Sequence, residues 1–187
     1  MSNLLLSQRR GSAAILVFNR PDKHNALNSD LLKALEIALR ELDDDDEIRG
    51  IVLTGNTRAF STGADLGGAV QTAGPRATAK LLSFFAHTND VIEDLSKPVI
   101  AAINGYCLTG GLEVALACDI RVAGIGAKFA VTSSKIGSVA GAGGTQRLPR
   151  VVGMEWAKEF LFSADFYDAE TALRIGLVSE VVEPDRV

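Results

Sequence analysis

The sequence predicts an α/β fold in which short buried strands alternate with amphipathic helices. Three short runs, 13–18, 51–53 and 99–103, are wholly apolar, which is typical of buried strands. Apolar residues recur at helical spacing over 29–42 and 76–95, as expected for helices with one face turned to a core. Because buried strands that alternate with helices usually pair in parallel, we expect a layered structure with a largely parallel sheet.

Length and composition narrow the class of protein. The chain has 187 residues, 47% hydrophobic and 22% charged, with a formal net charge of −4, which fits one domain over 1–187. No basic patch suits nucleic acid, and no apolar run is long enough to span a membrane. Two histidines without CxxC or HExxH spacing leave zinc without a ligand set. Both cysteines lie in the apolar central stretch, as is typical of reduced thiols in a cytoplasmic protein.

The N-terminal part of the chain predicts a strand, a helix and a second strand. The first strand, 13–18, leads through a polar turn to three residues that can cap a helix, Asn28, Ser29 and Asp30. The helix is expected to run to about residue 42. Its predicted buried face consists of Leu31, Leu35, Ala38 and Leu42. The second buried strand covers 51–53.

A loop of small residues is predicted over 59–66. Its first five residues, AFSTG, nearly match the Gly-x-Ser-x-Gly turn that presents a catalytic serine. Ala59 replaces the first glycine, and no histidine is placed as a base for Ser61. A serine hydrolase is therefore only the weaker hypothesis for this loop.

The centre of the sequence is a strand, a glycine turn and a helix. The strand 99–103 is followed by Gly110 and Gly111, which allow close approach of a ligand, and then by an apolar helix over 112–118. Backbone N–H groups at such a helix start stabilise negative charge. The pattern therefore predicts a site for an oxyanion, permanent or formed in a transition state.

Glu113 is the one acid in this apolar helix, and two interpretations of it stay open. It can be a helix-start carboxylate that faces water, since acids are common in the first turn. Alternatively, it lies in an apolar cleft, where loss of hydration adapts it to proton transfer.

The C-terminal part predicts further short strands and helices. A second glycine cluster, 141–144, lacks the GxGxxG spacing and the lysine of a phosphate-binding loop. We expect strands at 120–123, 129–131 and 177–182, a short helix after the glycines that ends near Gly153, and helices at 154–162 and 168–175.

Several stretches together resemble the crotonase family, also called the enoyl-CoA hydratase/isomerase family. They are RPDKHNAL at 20–27, AFSTGADL at 59–66, KPVIAAINGYCLTGGLEVALACDIRVA at 97–123, GAGGTQRLPRVVG at 141–153 and AETALRIGLVSEVV at 169–182. The resemblance covers nearly the whole chain and implies a crotonase-like (ClpP/crotonase) fold of repeated ββα units. In that family a further helical segment covers the acyl-CoA site and helps to form trimers. The chain stops at Val187, so we expect this C-terminal segment to be short or missing.

The resemblance also implies the parts of a catalytic site. Two backbone amides would form the oxyanion hole, that of Ala64 and that of Gly110. The first of the two glutamates found in hydratases maps onto Glu113. The second would fall at Ser133, where a hydroxyl cannot exchange protons at neutral pH. The resemblance therefore implies hydration of a 2-enoyl-CoA, with a single-acid enoyl-CoA isomerase or a non-catalytic acyl-CoA-binding protein as alternatives.

The partners implied by the resemblance are an acyl-CoA thioester and copies of the chain itself, as a homotrimer or a dimer of trimers. Coenzyme A belongs to the substrate, so no separate cofactor is expected, and the setting would be fatty acid metabolism. The implied substrate contacts are Lys23, Ala26, Leu27, Ala64, Asp65, Leu66, Gly67, Gly110 and Ser133.

Overall fold

The structure is a computed structural model that describes residues 4–65, 67 and 75–187. Its strands are β1 (Leu5–Arg10), β2 (Ala13–Phe18), β3 (Gly50–Thr54), β4 (Ala59–Ser61), β5 (Val99–Ile103), β6 (Tyr106–Leu108), β7 (Ile120–Gly124), β8 (Lys128–Ala130), β9 (Tyr167–Asp168) and β10 (Glu180–Val182). Its α-helices are α1 (Ser29–Asp43), α2 (Pro75–Asp94), α3 (Gly110–Ala117), α4 (Gly144–Ser163) and α5 (Ala169–Arg174). The predicted α/β alternation is confirmed.

The strands form two sheets. The larger sheet has the order β1-β2-β3-β5-β7-β10, and the smaller one has the order β4-β6-β8-β9. All neighbours in the larger sheet pair in parallel except β1 and β2. In the smaller sheet only β8 and β9 are antiparallel. In both sheets the spatial order of the strands repeats their order in the chain.

Helix α1 confirms the predicted cap and revises the predicted buried face. The Asn28 side chain accepts a hydrogen bond of 3.0 Å from the Leu31 amide, as an N-cap residue does. The predicted face residues Ala38 and Leu42 are only half-buried. The reason is that the helix packs along its inclined i, i+4 ridge. Its buried residues are Leu31, Leu32, Leu35 and Leu39.

Three further boundaries differ from the sequence prediction. The predicted loop over 59–66 begins as strand β4, because these small buried residues pair with β6. Helix α3 begins at Gly110, two residues earlier than predicted. The predicted strand at 177–182 is paired only over Glu180–Val182. The predicted break near Gly153 is present as a non-helical residue inside α4, with φ 79° and ψ 164°.

The two cysteines lie in the apolar core between the elements. Cys107 and Cys118 are both buried and free. Burial raises the pKa of the Cys118 thiol to about 12 and that of Cys107 well above its ordinary value. Among the described helices, none is both long and apolar enough to cross a membrane. The part of the chain that the structure describes contains no group of three or more histidine, cysteine, aspartate or glutamate side chains placed to hold a metal ion.

Candidate active site

The N-terminus of helix α3 forms the centre of the site. Thr109 is the N-cap residue, with φ 47° and ψ −112°, and its side chain makes no capping hydrogen bond to the helix. Its hydroxyl instead lies 2.8 Å from the Thr132 hydroxyl and accepts from the Thr132 amide at 3.1 Å. The Thr109 side chain therefore accepts no hydrogen bond from the first amides of α3, and every residue of α3 is buried.

The segment after β4 lies against this helix start. The Leu27 amide donates to the Gly63 carbonyl at 2.7 Å, and the Asp65 amide donates to the Leu27 carbonyl at 2.9 Å. This parallel bridge turns the Ala64 amide away from Leu27. An added Cβ on Gly63 would lie 2.9 Å from the Gly110 nitrogen, and one on Gly110 would lie 3.4 Å from the Ala64 nitrogen. The structure thus brings together the two amides that the sequence analysis named.

Two buried polar side chains support the segment that carries Ala64. The Ser61 hydroxyl donates to the Asn25 carbonyl at 2.8 Å and accepts from the Gly63 amide at 3.1 Å. The Asn25 side chain donates to the Ala59 carbonyl at 2.8 Å. Both residues are wholly buried, so Ser61 holds backbone and does not present a nucleophile. The serine-hydrolase hypothesis therefore finds no support.

The Asp65 side chain links the segment that carries Ala64 to Arg20. Its carboxylate accepts from the Arg20 guanidinium at 2.8 Å and from the Gly67 amide at 3.0 Å. Arg20 also donates to the Ala26 carbonyl. Hydrogen bonding from Arg20 lowers the pKa of Asp65, and the Gly67 amide adds to that effect. The predicted substrate contact Asp65 is thus engaged within the protein.

Replacing Asp65 with asparagine is expected to lower the free energy of unfolding by about 1 to 3 kcal/mol at neutral pH. Because the pKa of Asp65 is below its ordinary 3.8 in the folded chain, its stabilising contribution is present above that value. The contribution is lost as the pH falls through the folded pKa. Urea unfolding from pH 7 to pH 3 should therefore show a difference between the two proteins that narrows in acid. A constant difference would rule out the ion pair as its source.

Glu113 is buried and does not face water. Its side chain is only 3% exposed, and its Oε1 accepts hydrogen bonds of 2.8 Å from the Ala142 and Gly144 amides. Gly144 is the first residue of α4, so the carboxylate also lies at a helix N-terminus. An added Cβ on Gly144 would lie 2.9 Å from Oε1. The interpretation of Glu113 as a solvent-facing acid is therefore wrong.

The pKa of Glu113 is raised. Burial is the main cause, and the two amides and Arg147 oppose it. Raising the pKa of a carboxyl group brings it closer to the working pH, which favours a role in proton transfer. Among the described residues, none donates a hydrogen bond to Oε2, whereas Oε1 accepts two.

Ser133 follows Thr132, a residue that contacts the N-cap of α3. It opens a short 3₁₀ turn, Ser133–Ile136, directly after Thr132, and it is 4% exposed. Thr132 contacts the N-cap residue Thr109. The position that would hold the second acid is therefore a buried hydroxyl near the start of α3.

The other predicted substrate contacts are less closely grouped. Leu27 is wholly buried and bridges Ala64, whereas Ala26 is half-buried. Lys23 and Gly67 are exposed. Leu66 lies outside the described residues.

Helix α2 forms a wall of the site. Its sequence pattern predicted only that one of its faces packs against the core. The Phe85 ring edge would lie 2.9 Å from an added Cβ on Gly110. Leu82 would lie 3.4 Å from an added Cβ on Gly141. Helical periodicity shows which face of α2 is buried, but it does not show what that face covers.

Two open cavities lie outside this arrangement. One, of about 230 Å³, lies between α1 and α2. The other, of about 460 Å³, is lined by His24, Thr62, Tyr106, Leu108, Lys128 and Phe166. Neither cavity is lined by Ala64, Gly110 or Glu113.

Comparison with known proteins gives consistent matches. The family model described as enoyl-CoA hydratase/isomerase matches residues 8–187. A short-chain-enoyl-CoA hydratase from Clostridium acetobutylicum is 41% identical, over 100% of this chain and 71% of that protein. A crotonyl-CoA hydratase from Syntrophomonas wolfei is 39% identical, over 99% of this chain and 71% of that protein. The crystal structure of an enoyl-CoA hydratase from Bacillus anthracis superposes with a TM-score of 0.94 at 34% identity, covering 97% of this chain and 71% of that one.

Proposed function

The chain belongs to the enoyl-CoA hydratase/isomerase family, and from this premise we propose that it hydrates a 2-enoyl-CoA thioester through an enolate. The observation that carries the proposal is that the Ala64 and Gly110 amides lie close together, with a buried carboxyl group, Glu113, in the first turn of the helix that Gly110 begins. Coenzyme A enters as part of the substrate, so the proposal needs no separate cofactor.

The two amides would stabilise the charge that develops on the thioester oxygen. When hydroxide adds to the β-carbon, the electrons of the double bond move onto that oxygen. Donors fixed in a site that excludes water are worth about 3 to 4 kcal/mol each in such a transition state. The glycines at 63 and 110 support this role, because a side chain at either position would crowd the neighbouring amide.

Glu113 would carry out the proton transfers. As a base it accepts a proton from water while the oxygen of that water bonds to the β-carbon. It then returns a proton to the α-carbon as the enolate collapses, so that one water molecule is added across the double bond. Its raised pKa suits both steps, and Ser133 cannot share them.

The direct test is addition of the purified protein to crotonyl-CoA and to longer 2-enoyl-CoA thioesters. Hydration removes the conjugated double bond, so absorbance of the conjugated thioester should fall. Loss of absorbance at one or more chain lengths is the expected result. Binding of CoA esters in a calorimeter without turnover at any chain length would instead indicate a non-catalytic acyl-CoA-binding protein.

A single-acid isomerase is the second candidate, and Ser133 is the observation that favours it. Shifting a double bond from the 3 to the 2 position requires removal of one proton from the α-carbon and delivery of one to the γ-carbon. One carboxyl group can do both. With a 3-enoyl-CoA, an isomerase should make absorbance of the conjugated thioester rise, whereas a pure hydratase should leave it unchanged.

Replacing Ser133 with glutamate is expected to raise the rate of hydration by at least about tenfold, because a second carboxyl group would share the proton transfers. Crotonyl-CoA turnover measures the effect. Ser134→Glu is the matched control, since Ser134 is adjacent and exposed. Equal rates for Ser133→Glu and the wild type would mean that position 133 does not reach the reacting atoms.

A further inference from the structure

Ala142 connects Glu113 to the side chains of Asn89 and Arg147. Its amide donates to Glu113 Oε1 at 2.8 Å. Its carbonyl accepts from the Asn89 side-chain nitrogen at 2.8 Å and from Arg147 at 3.2 Å. The backbone of this one residue is therefore held on both sides, by the carboxylate at its amide and by two donors at its carbonyl.

Asn89 makes this contact at a cost in stability. It is wholly buried on α2, and its Oδ1 has no hydrogen-bond partner among the residues that the structure describes. Leaving such an oxygen unpaired in the interior costs about 1 to 3 kcal/mol. A leucine of similar volume would avoid that cost, so what the asparagine contributes here is its donor to Ala142.

Arg147 approaches the same carbonyl from α4. Its guanidinium forms ion pairs with Glu93 at 2.5 Å and with Asp90 at 3.1 Å, both on α2. Gly143, with φ 103°, has no side chain in the path of this guanidinium, and an added Cβ there would collide with it. Arg147 is thus fixed between α2 and the turn that carries Ala142.

We infer that Asn89 and Arg147 are positioning residues, which hold the Ala142 backbone so that its amide fixes the orientation of the Glu113 carboxyl group. This inference rests on the proposed function, in which Glu113 transfers the protons. Neither side chain is assigned a contact with the substrate. Their effect would pass through one hydrogen bond to Oε1, which decides where Oε2 faces.

The charged groups around Glu113 show how the effect of Asn89 can be told apart from that of Arg147. On α3 itself Glu113 is the one ionisable residue. Arg147 faces it from α4, and Asp90 and Glu93 on α2 pair with that arginine. Removing Arg147 would therefore change both a charge and a hydrogen bond. Removing the Asn89 amide changes only the hydrogen bond, which makes Asn89→Leu the cleaner variant.

Asn89→Leu is expected to lower kcat for crotonyl-CoA by about tenfold or more, since small misplacements of a catalytic group are costly. KM should change much less. Because the amide hydrogen bond lowers the pKa of Glu113, weakening it should raise that pKa. The acidic limb of the kcat/KM profile should then move to higher pH. Thr88→Val is the matched control: Thr88 is also buried on α2, but its hydroxyl donates to the Phe84 carbonyl.

Two further measurements keep the inference independent of the activity assay. Titration of the ¹³C-labelled Glu113 carboxyl by NMR should show its pKa rising in Asn89→Leu and unchanged in Thr88→Val. The melting temperature of Asn89→Leu should equal or exceed that of the wild type, since an unpaired oxygen has been removed.

The role of Arg147 is tested by two variants in the activity assay. Arg147→Lys should retain more activity than Arg147→Met.

The outcomes separate the inference from the proposed function. An unchanged titration and an unchanged kcat in Asn89→Leu, with a lowered melting temperature, would show that Asn89 only supports the fold, and would overturn the inference. If the wild type turns over no enoyl-CoA, the proposed function fails. The NMR titration would still show whether Asn89 acts on Glu113.

Discussion

Replacing Glu113 with glutamine is expected to lower the turnover of enoyl-CoA by about 10²- to 10⁴-fold, the usual contribution of a positioned acid or base. The fold should be retained, because the glutamine carbonyl oxygen can accept the same two hydrogen bonds from Ala142 and Gly144. Crotonyl-CoA turnover measures the loss, and circular dichroism checks the fold. A glutamine variant with full activity would mean that another group transfers the proton.

The same variant has an expected effect on stability. Because burial raises the pKa of Glu113 in the folded chain, its protonated form is favoured by folding. The wild type should therefore lose stability as the pH rises from the unfolded pKa through the raised folded one. Glu113→Gln has no such dependence, so its stability relative to the wild type should increase over that interval. A relative stability that falls instead would mean that the two amides outweigh burial.

Replacing Gly110 with alanine is expected to be the second large effect. The new Cβ would lie 2.9 Å from the Phe85 ring and 3.4 Å from the Ala64 nitrogen, in the space that the thioester oxygen would need. Loss of oxyanion stabilisation typically lowers kcat by about 10²- to 10³-fold. The measurement is kcat for crotonyl-CoA together with the melting temperature.

Gly126→Ala is the matched control for this substitution. An added Cβ on Gly126 meets no atom within 4 Å, so activity and stability should stay close to those of the wild type. If Gly110→Ala remains fully active while folded, the thioester oxygen does not bind between residues 64 and 110.

Local sequence signals predicted one half of the site. The strand, the glycines and the apolar helix that follows identified Gly110 and Glu113 directly. Ala64 came only from the family resemblance, because its approach to Gly110 depends on contacts between segments far apart in the chain. For the same reason the sequence left the surroundings of Glu113 open. The amides that bind it belong to Ala142, in the turn before α4, and to Gly144, the first residue of α4.

The fold shows the same division between local and long-range signals. Strands β2, β3 and β5 were predicted because each is an apolar run. Strand β1 was missed: its residues LLSQRR are mostly exposed, and four of the six are polar. Strands β4, β6 and β9 have only two or three residues each, too few to show a period of two. Such short strands are defined by their partners in the smaller sheet.

The order of strands in the two sheets bears on how the chain folds during synthesis. Among the described strands, none has to insert between two that are already paired, since each joins its sheet beside one made earlier. Chains emerge from the ribosome at about 5 to 20 residues per second, so the two sheets can extend alternately from one edge as β3 to β8 appear. Ala64, Gly110 and Glu113 would then lie on formed scaffold before the Ala142 and Gly144 amides emerge. The carboxyl group would be fixed last, once α4 begins.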